Sequence, residues 1–154
     1  MSPNAPVLIT GLYETHINVV DLEKSTAFYV ETLGLELGRK EETRRAAFLF
    51  AGGWGKTMLG LWEKPKEEVH TQHFAFEIPP AHMERVIEDL HDRGIPTRDF
   101  HGVSTKVPSV FAWTPAVSIY FQDPDGHRLE YLARLPGEPD PDGGIVPWDE
   151  WRRR

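Results

Sequence analysis

One order of elements is written twice along this chain, and that repetition constrains the fold more than any other feature. The first copy opens with a strand over 12–20, where Tyr13, Thr15, Ile17 and Val19 alternate with Leu12, Glu14, His16, Asn18 and Val20. Asp21 stands where a helix N-cap belongs, with Glu23 in the first turn to complement the helix dipole. Ala27, Phe28 and Leu33 fit the buried stripe of that helix, and Gly34 sits at the place of a C-terminal glycine. Three strand-like runs follow over 35–41, 44–51 and 56–63, the last two joined by Gly52-Gly53-Trp54-Gly55.

Residues 64–69 are polar and hold Pro65, so they read as a linker, and after them the order restarts. A strand over 71–78 leads through Pro79-Pro80 into a helix whose face is Met83, Val86, Ile87 and Leu90, closed by Gly94. Further strands are expected over 95–100, 116–122 and 127–134, the last two joined by the tight turn Asp123-Pro124-Asp125-Gly126. The chain thus reads as strand–helix–strand–strand–strand twice, with module one over 9–63 and module two over 71–134. Aligning the halves sets His16 against His73, Gly34 against Gly94 and Gly55 against Gly126. Residues 135–154 form a Pro/Gly-rich C-terminal tail, expected to be irregular over 136–147, with Trp148 and Trp151 as anchors on the body or on a partner subunit.

Composition narrows the function. With 154 residues, 40% hydrophobic and 27% charged, the chain suits one globular domain or two joined modules rather than disorder. No apolar run approaches the ~18 residues of a membrane helix. The net charge is −7 and the one basic cluster is Arg152 to Arg154, so no basic face for nucleic acid is present. The absence of cysteine excludes disulfides, thiolate nucleophiles and Cys-based zinc sites, leaving His, Asp and Glu as the strong metal ligands. The first residues lack the charged and apolar regions of a signal peptide, so a cytoplasmic location is expected.

Three residues carry the chemical expectation. His16 and His73 occupy matching places in the opening strands of the two modules, and Glu130 lies in the closing strand of module two. Two imidazoles and a carboxylate are a recurrent divalent-metal set with positions left for water or substrate. Each successive pair is 57 residues apart (73 − 16 and 130 − 73), so only the fold brings them together. The plainer reading of a single strand histidine is a surface or hydrogen-bonded group. Tyr120 reads equally as a core aromatic or a group beside a substrate, and His127 is expected to face water after its turn. His70, His82, His91 and His101 are assigned no chemistry, and Asp123 and Asp125 belong to the turn. Trp54, Trp62 and Trp113 suit the wall of an apolar pocket, with structural packing as the plainer use of each. Asn18 and Arg128 meet an anionic substrate only if they face the site.

The segments Thr15-His16-Ile17-Asn18-Val19-Val20-Asp21-Leu22 and Thr26-Ala27-Phe28-Tyr29, with Leu33-Gly34-Leu35, resemble the opening of the vicinal oxygen chelate superfamily. His73-Phe74-Ala75-Phe76-Glu77-Ile78 and the run from Tyr120 to Glu130 resemble its second half. That group contains glyoxalase I, bleomycin-resistance proteins, fosfomycin-resistance enzymes and extradiol dioxygenases. The resemblance implies an α+β fold in which two βαβββ modules form a curved mixed sheet cup around a metal. It also implies the ligands His16, His73 and Glu130, one divalent metal per chain (Zn, Mn, Fe or Ni), no organic cofactor, and a homodimer.

The fourth ligand of glyoxalase I would fall, by the repeat alignment, at Leu59 or Gly60, neither of which binds metal; Glu63 lies further on and is expected to be exposed. A His, His, Glu set is what fosfomycin-resistance enzymes and extradiol dioxygenases share. Both groups carry a tyrosine near the substrate where Tyr120 stands, which makes Tyr120 the catalytic candidate. Phe111 stands where the dioxygenases have a histidine, and Asn18 where the thiol transferases have a threonine. A Ser/Gly-rich potassium loop is not apparent over 104–115. Glu41, Glu42 and Tyr120 are the candidate bases. The expected function is a metal-dependent lyase, transferase or dioxygenase holding a small molecule through adjacent oxygens. The alternative is a metal-free, drug-sequestering protein of the bleomycin-resistance type.

Overall fold

The computed structural model describes residues 5–154, and the chain divides after Lys64 into two compact units. The first contains β1 (Glu14–Val19), α1 (Leu22–Ala27), a π-helical turn (Phe28–Thr32), β2 (Glu36–Glu41), β3 (Ala46–Ala51) and β4 (Thr57–Glu63). Its sheet runs β1-β4-β3-β2, with β1 parallel to β4 and the other neighbours antiparallel. The second contains β5 (His73–Glu77), α2 (Met83–Asp92), β6 (Ser109–Phe111), β7 (Ala116–Gln122), β8 (Arg128–Arg134), β9 (Ile145–Pro147) and α3 (Trp148–Trp151). Its sheet runs β5-β8-β7-β6-β9, with β5 parallel to β8. Each unit is therefore a βαβββ module in a mixed sheet, and the second adds one strand. Among the described residues no helix is long and apolar enough to cross a membrane.

Local chemistry explains where the elements start and stop. The Asp21 carboxylate accepts the Lys24 N–H at 2.9 Å and opens α1. Gly34, at φ +79°, closes the helical segment, with the Leu35 N–H donating back to the Tyr29 carbonyl. The buried residues of this segment are Leu22, Ser25 and Tyr29, while Ala27, Phe28 and Leu33 are only half-buried. The reason is the π turn: the Leu33 N–H reaches the Phe28 carbonyl five residues back, which carries the later apolar residues out of the expected helical phase. In α2 the expected face holds, with Met83, Ile87 and Leu90 buried and Val86 half-buried.

Two expectations for the second unit need correction. Residues 95–100 are not a strand. There Arg98 makes isolated bridges to Ser104 and Tyr120, and the buried Thr97 hydroxyl donates to the Thr105 carbonyl at 2.6 Å, tying a loop. The second strand of the module is β6 instead. The tail is also more ordered than its composition suggested: β9 pairs with β6, setting Val146 opposite Val110. Trp148 is buried, its N–H donates to the Pro108 carbonyl, and the Arg152 guanidinium lies 4.2 Å from its ring centre. The anchor is on the tail's own unit.

Strand alternation then separates core from site. Ile119, Phe121, Leu129, Tyr131 and Ala133 are buried on one face of the second sheet, each large side chain contributing about 1.5–3 kcal/mol of apolar burial. Tyr120, Gln122, Arg128 and Glu130 point from the opposite face. In the first sheet Ile17, Val19, Ala47, Leu49, Leu59 and Leu61 are buried, and His16, Phe48, Gly60 and Trp62 lie on the other side.

Candidate metal centre

In the second unit the sheet register assembles the site in two rows. His73 pairs with Arg128, which pairs with Gln122; the next row is Ala75, Glu130 and Tyr120, with Arg98 bridged beyond. Directly opposed residues share a face, so His73 and Glu130 become diagonal neighbours. His73 Nε2 lies 3.1 Å from Glu130 Oε2, and His73 Nδ1 lies 2.9 Å from the Arg128 carbonyl oxygen. A carbonyl only accepts, so Nδ1 carries a proton, and the neutral ring's lone pair is on Nε2, facing the carboxylate. Two such electron-rich atoms at this distance require a proton or a cation between them. The pair therefore fits a metal, and the carbonyl behind the imidazole is the support that metal-binding histidines ordinarily have. Glu130 is 6% exposed, whereas 43% of the His73 side chain is open to solvent.

Tyr120 stands directly opposite Glu130, its ring centre 5.9 Å from that of His73. Burial first, then the Glu130 charge, hold its hydroxyl well above the usual tyrosine range, and the hydroxyl bonds Glu130. The Tyr120 proton is thus held beside Glu130. The other two candidate bases are engaged elsewhere: Glu41 pairs with Arg39, and Glu42 with Lys40 at 3.0 Å and Arg45 at 3.4 Å. His73 and Tyr120 line a cavity of about 500 Å³ that Arg98, Phe100 and Arg128 also line. Arg128 therefore faces the site.

His16 is set differently in the first unit. It pairs with Gly60, and its Nδ1 accepts the Trp62 indole N–H at 2.9 Å. The ring occupies the space a side chain at position 60 would need, since a Cβ there would come within 2.6 Å of His16 Cε1. Glu14 Oε1 is 3.5 Å from His16 Nε2. The Nδ1 lone pair is thus taken by Trp62, so coordination through Nδ1 exchanges that hydrogen bond for a metal bond.

The two parallel registers also correct the place of the fourth ligand. Counting from each histidine's partner, Gly60 or Arg128, two residues further on lie Trp62 and Glu130. Trp62, not Leu59 or Gly60, is the counterpart of Glu130. The turn glycines concealed this, because Gly55 precedes Gly60 by five residues while Gly126 precedes Arg128 by two. Glu63 is not open either: it accepts the Leu22 N–H at 2.9 Å and an Arg45 N–H at 2.8 Å, fastening α1 to the sheet.

His127 does not face water. It is fully buried, its Nδ1 accepts the Gln72 N–H at 3.0 Å, and its own N–H donates to Asp123 Oδ1 at 2.9 Å. Asp123 also accepts the Asp125 N–H, so the grouping of Asp123, Asp125 and His127 closes the β7–β8 turn and ties it to the segment before β5. From the sequence, Trp62 reads as pocket wall or packing and Arg98 carries no role. Arg98 carries no local motif, and Trp62 matters only once the register is known.

Comparison with known proteins gives a consistent answer. The model of the Glyoxalase/Bleomycin resistance protein/Dioxygenase superfamily matches residues 11–131. A probable lactoylglutathione lyase of Synechocystis is 28% identical over 122 residues, spanning 79% of this chain and 93% of that protein. The glutathione transferase FosA of Serratia marcescens is 30% identical over 132 residues, 80% of each chain. An integron cassette protein from the mobile metagenome of a Halifax Harbour sewage outfall, solved by crystallography, is 38% identical with a TM-score of 0.72, over 81% of this chain and 99% of that one.

Proposed function

Because the chain belongs to the Glyoxalase/Bleomycin resistance protein/Dioxygenase superfamily, we propose that it is a divalent-metal-dependent enzyme that holds a small substrate through adjacent oxygens. His16, His73 and Glu130 are the ligands and Tyr120 stands beside the substrate. The observation that carries this reading is the His73–Glu130 pair, with the imidazole fixed from behind by the Arg128 carbonyl. A bound Zn²⁺, Mn²⁺, Fe²⁺ or Ni²⁺ supplies a Lewis acid that offsets negative charge developing on the substrate oxygens. The chain's own residues do the rest. Arg128 sets the His73 tautomer, Tyr120 holds a proton beside Glu130, and the buried position of Glu130 keeps water from competing for its oxygens. The two curated relatives are named as a lyase and a transferase, which supports an enzyme rather than a binding protein. A homodimer and a cytoplasmic location belong to the same proposal.

The test is elemental mass spectrometry of the purified, tag-free protein, followed by turnover of an epoxide with a thiol, a hemithioacetal and a catechol. About one metal per chain with turnover of one substrate class is the expected result. A chain that takes up no metal and turns over none of them is instead a metal-free drug-binding protein.

A further inference from the structure

Among the described residues, Arg39, Arg44, Arg45, Arg85, Arg134, Arg152 and Arg154 are all ion-paired with carboxylates. Arg93, Arg98, Arg128 and Arg153 are not, and of these four Arg98 and Arg128 line the 500 Å³ cavity of the second unit. Neither is there by accident of a mobile loop. Arg98 is stitched to Tyr120 by two backbone hydrogen bonds of 2.8 and 3.0 Å, and Arg128 begins β8 opposite Gln122 and His73. The backbone thus fixes Arg98 beside Tyr120 and Arg128 beside His73, and both residues line the one cavity. Asp99 is the one carboxylate on the cavity wall, and its Oδ1 already accepts the Val103 N–H at 2.9 Å. Apart from the Gln122 amide, the remaining wall is apolar and includes Ile95, Pro96 and Phe100, whose ring packs edge-on against Phe111 at 5.4 Å.

We infer that this cavity binds an organic oxyanion, a carboxylate or phosphonate head on an apolar body, with Arg98 and Arg128 as the head's two donors and Phe100 against the body. Guanidinium forks match planar or tetrahedral oxyanions in two hydrogen bonds each, which a lone ammonium does not. Two unpaired cations against one tied carboxylate leave the cavity electropositive, and walls of low polarity strengthen that field. That the anion is the substrate rests on the enzyme reading above; that the cavity takes such an anion does not.

The experiment titrates the full chain, as purified and after chelation, with phenylacetate, phenylphosphonate and the neutral phenylacetamide by calorimetry. Binding of at least one anion, with phenylacetamide at least about tenfold weaker, is expected. Arg98→Gln and Arg128→Gln should each weaken that anion about tenfold and the pair about a hundredfold, while Arg153→Gln, outside the cavity, leaves it unchanged. Preference between the two anions identifies the head. Binding of phenylacetamide as tight as the anions, no binding of either anion, or unchanged anion affinity in the double variant overturns the inference. Failure of the metal reading shows separately, as Mn²⁺ affinity unmoved by His73→Ala.

Discussion

The two units are copies of one βαβββ plan, yet the faces that matter chemically are built from opposite materials. In the second, the face carries His73, Glu130, Tyr120 and two unpaired arginines around a cavity. In the first, the corresponding face carries His16 among aromatic rings: Phe48 and Trp62 lie 6.2 and 6.1 Å from it and 5.7 Å from each other, and Trp54 stacks 4.8 Å from Phe50. Equivalent register positions differ throughout, Gly60 against Arg128 and Phe48 against Gln122, and the position nearest each imidazole has Glu130 in one unit and Trp62 in the other. Each grips its histidine, but the carboxylate leaves the imidazole's Nε2 lone pair facing another acceptor, whereas the indole consumes the Nδ1 lone pair. One plan thus supplies two frames, and the side chains at equivalent register positions give each its own chemistry.

The largest effect that tests this asymmetry is loss of a ligand in the second unit. His73→Ala or Glu130→Ala should lower Mn²⁺ affinity by more than the ~100-fold that losing a supporting residue costs, with circular dichroism unchanged. Next is Gly60→Ala, which puts a methyl group where the His16 ring lies; an affinity loss of about tenfold is expected, the scale of a displaced support. Smaller, and of opposite sign, is Trp62→Phe. It frees His16 Nδ1 from the indole and should strengthen Mn²⁺ binding by about fivefold, the worth of one ~1 kcal/mol hydrogen bond.

The smallest effect concerns the stability of the first unit alone. Hydrogen bonding to Arg45 pulls the Glu23 carboxyl from its usual 4.5 to about 2, and the same guanidinium lowers Glu63. Groups with depressed folded-state values stabilise above their unfolded value and lose that contribution as pH falls through the folded one. Acid titration monitored at this unit's tryptophans should therefore show weakening between pH 4.5 and about 2. Arg45→Gln should flatten that pH dependence, because removing the guanidinium returns both carboxyls toward their unfolded values. Because Glu23 is solvent-exposed, the effect is modest.

Much of this was legible in the residues. Alternation in β1, the Asp21 cap, the α2 face and the Asp123 turn are local, and local periodicity and capping chemistry reveal them. The pairing of His16 with His73 by position in the repeat was legible as well. What was hidden depends on register between distant strands. The equivalence of Trp62 and Glu130 required knowing that the β3–β4 hairpin runs three residues longer past the histidine. Burial of His127 required seeing the Gln72 N–H reach it across 55 residues. Arg98 was invisible because its placement depends on backbone bridges to β7 rather than on any motif. The strand expected at 95–100 failed for the same reason, since the Thr97 side chain ties that segment into a loop.

The central proposal is that His16, His73 and Glu130 are the ligands of a single metal. Pulsed electron paramagnetic resonance of the Mn²⁺-loaded protein tests it directly, because imidazole nitrogens bound to the ion modulate the echo. The account predicts one Mn²⁺ per chain coupled to two imidazoles, falling to one in His16→Ala and to one in His73→Ala. Coupling to one imidazole in the unaltered protein, unchanged by His16→Ala, would contradict it.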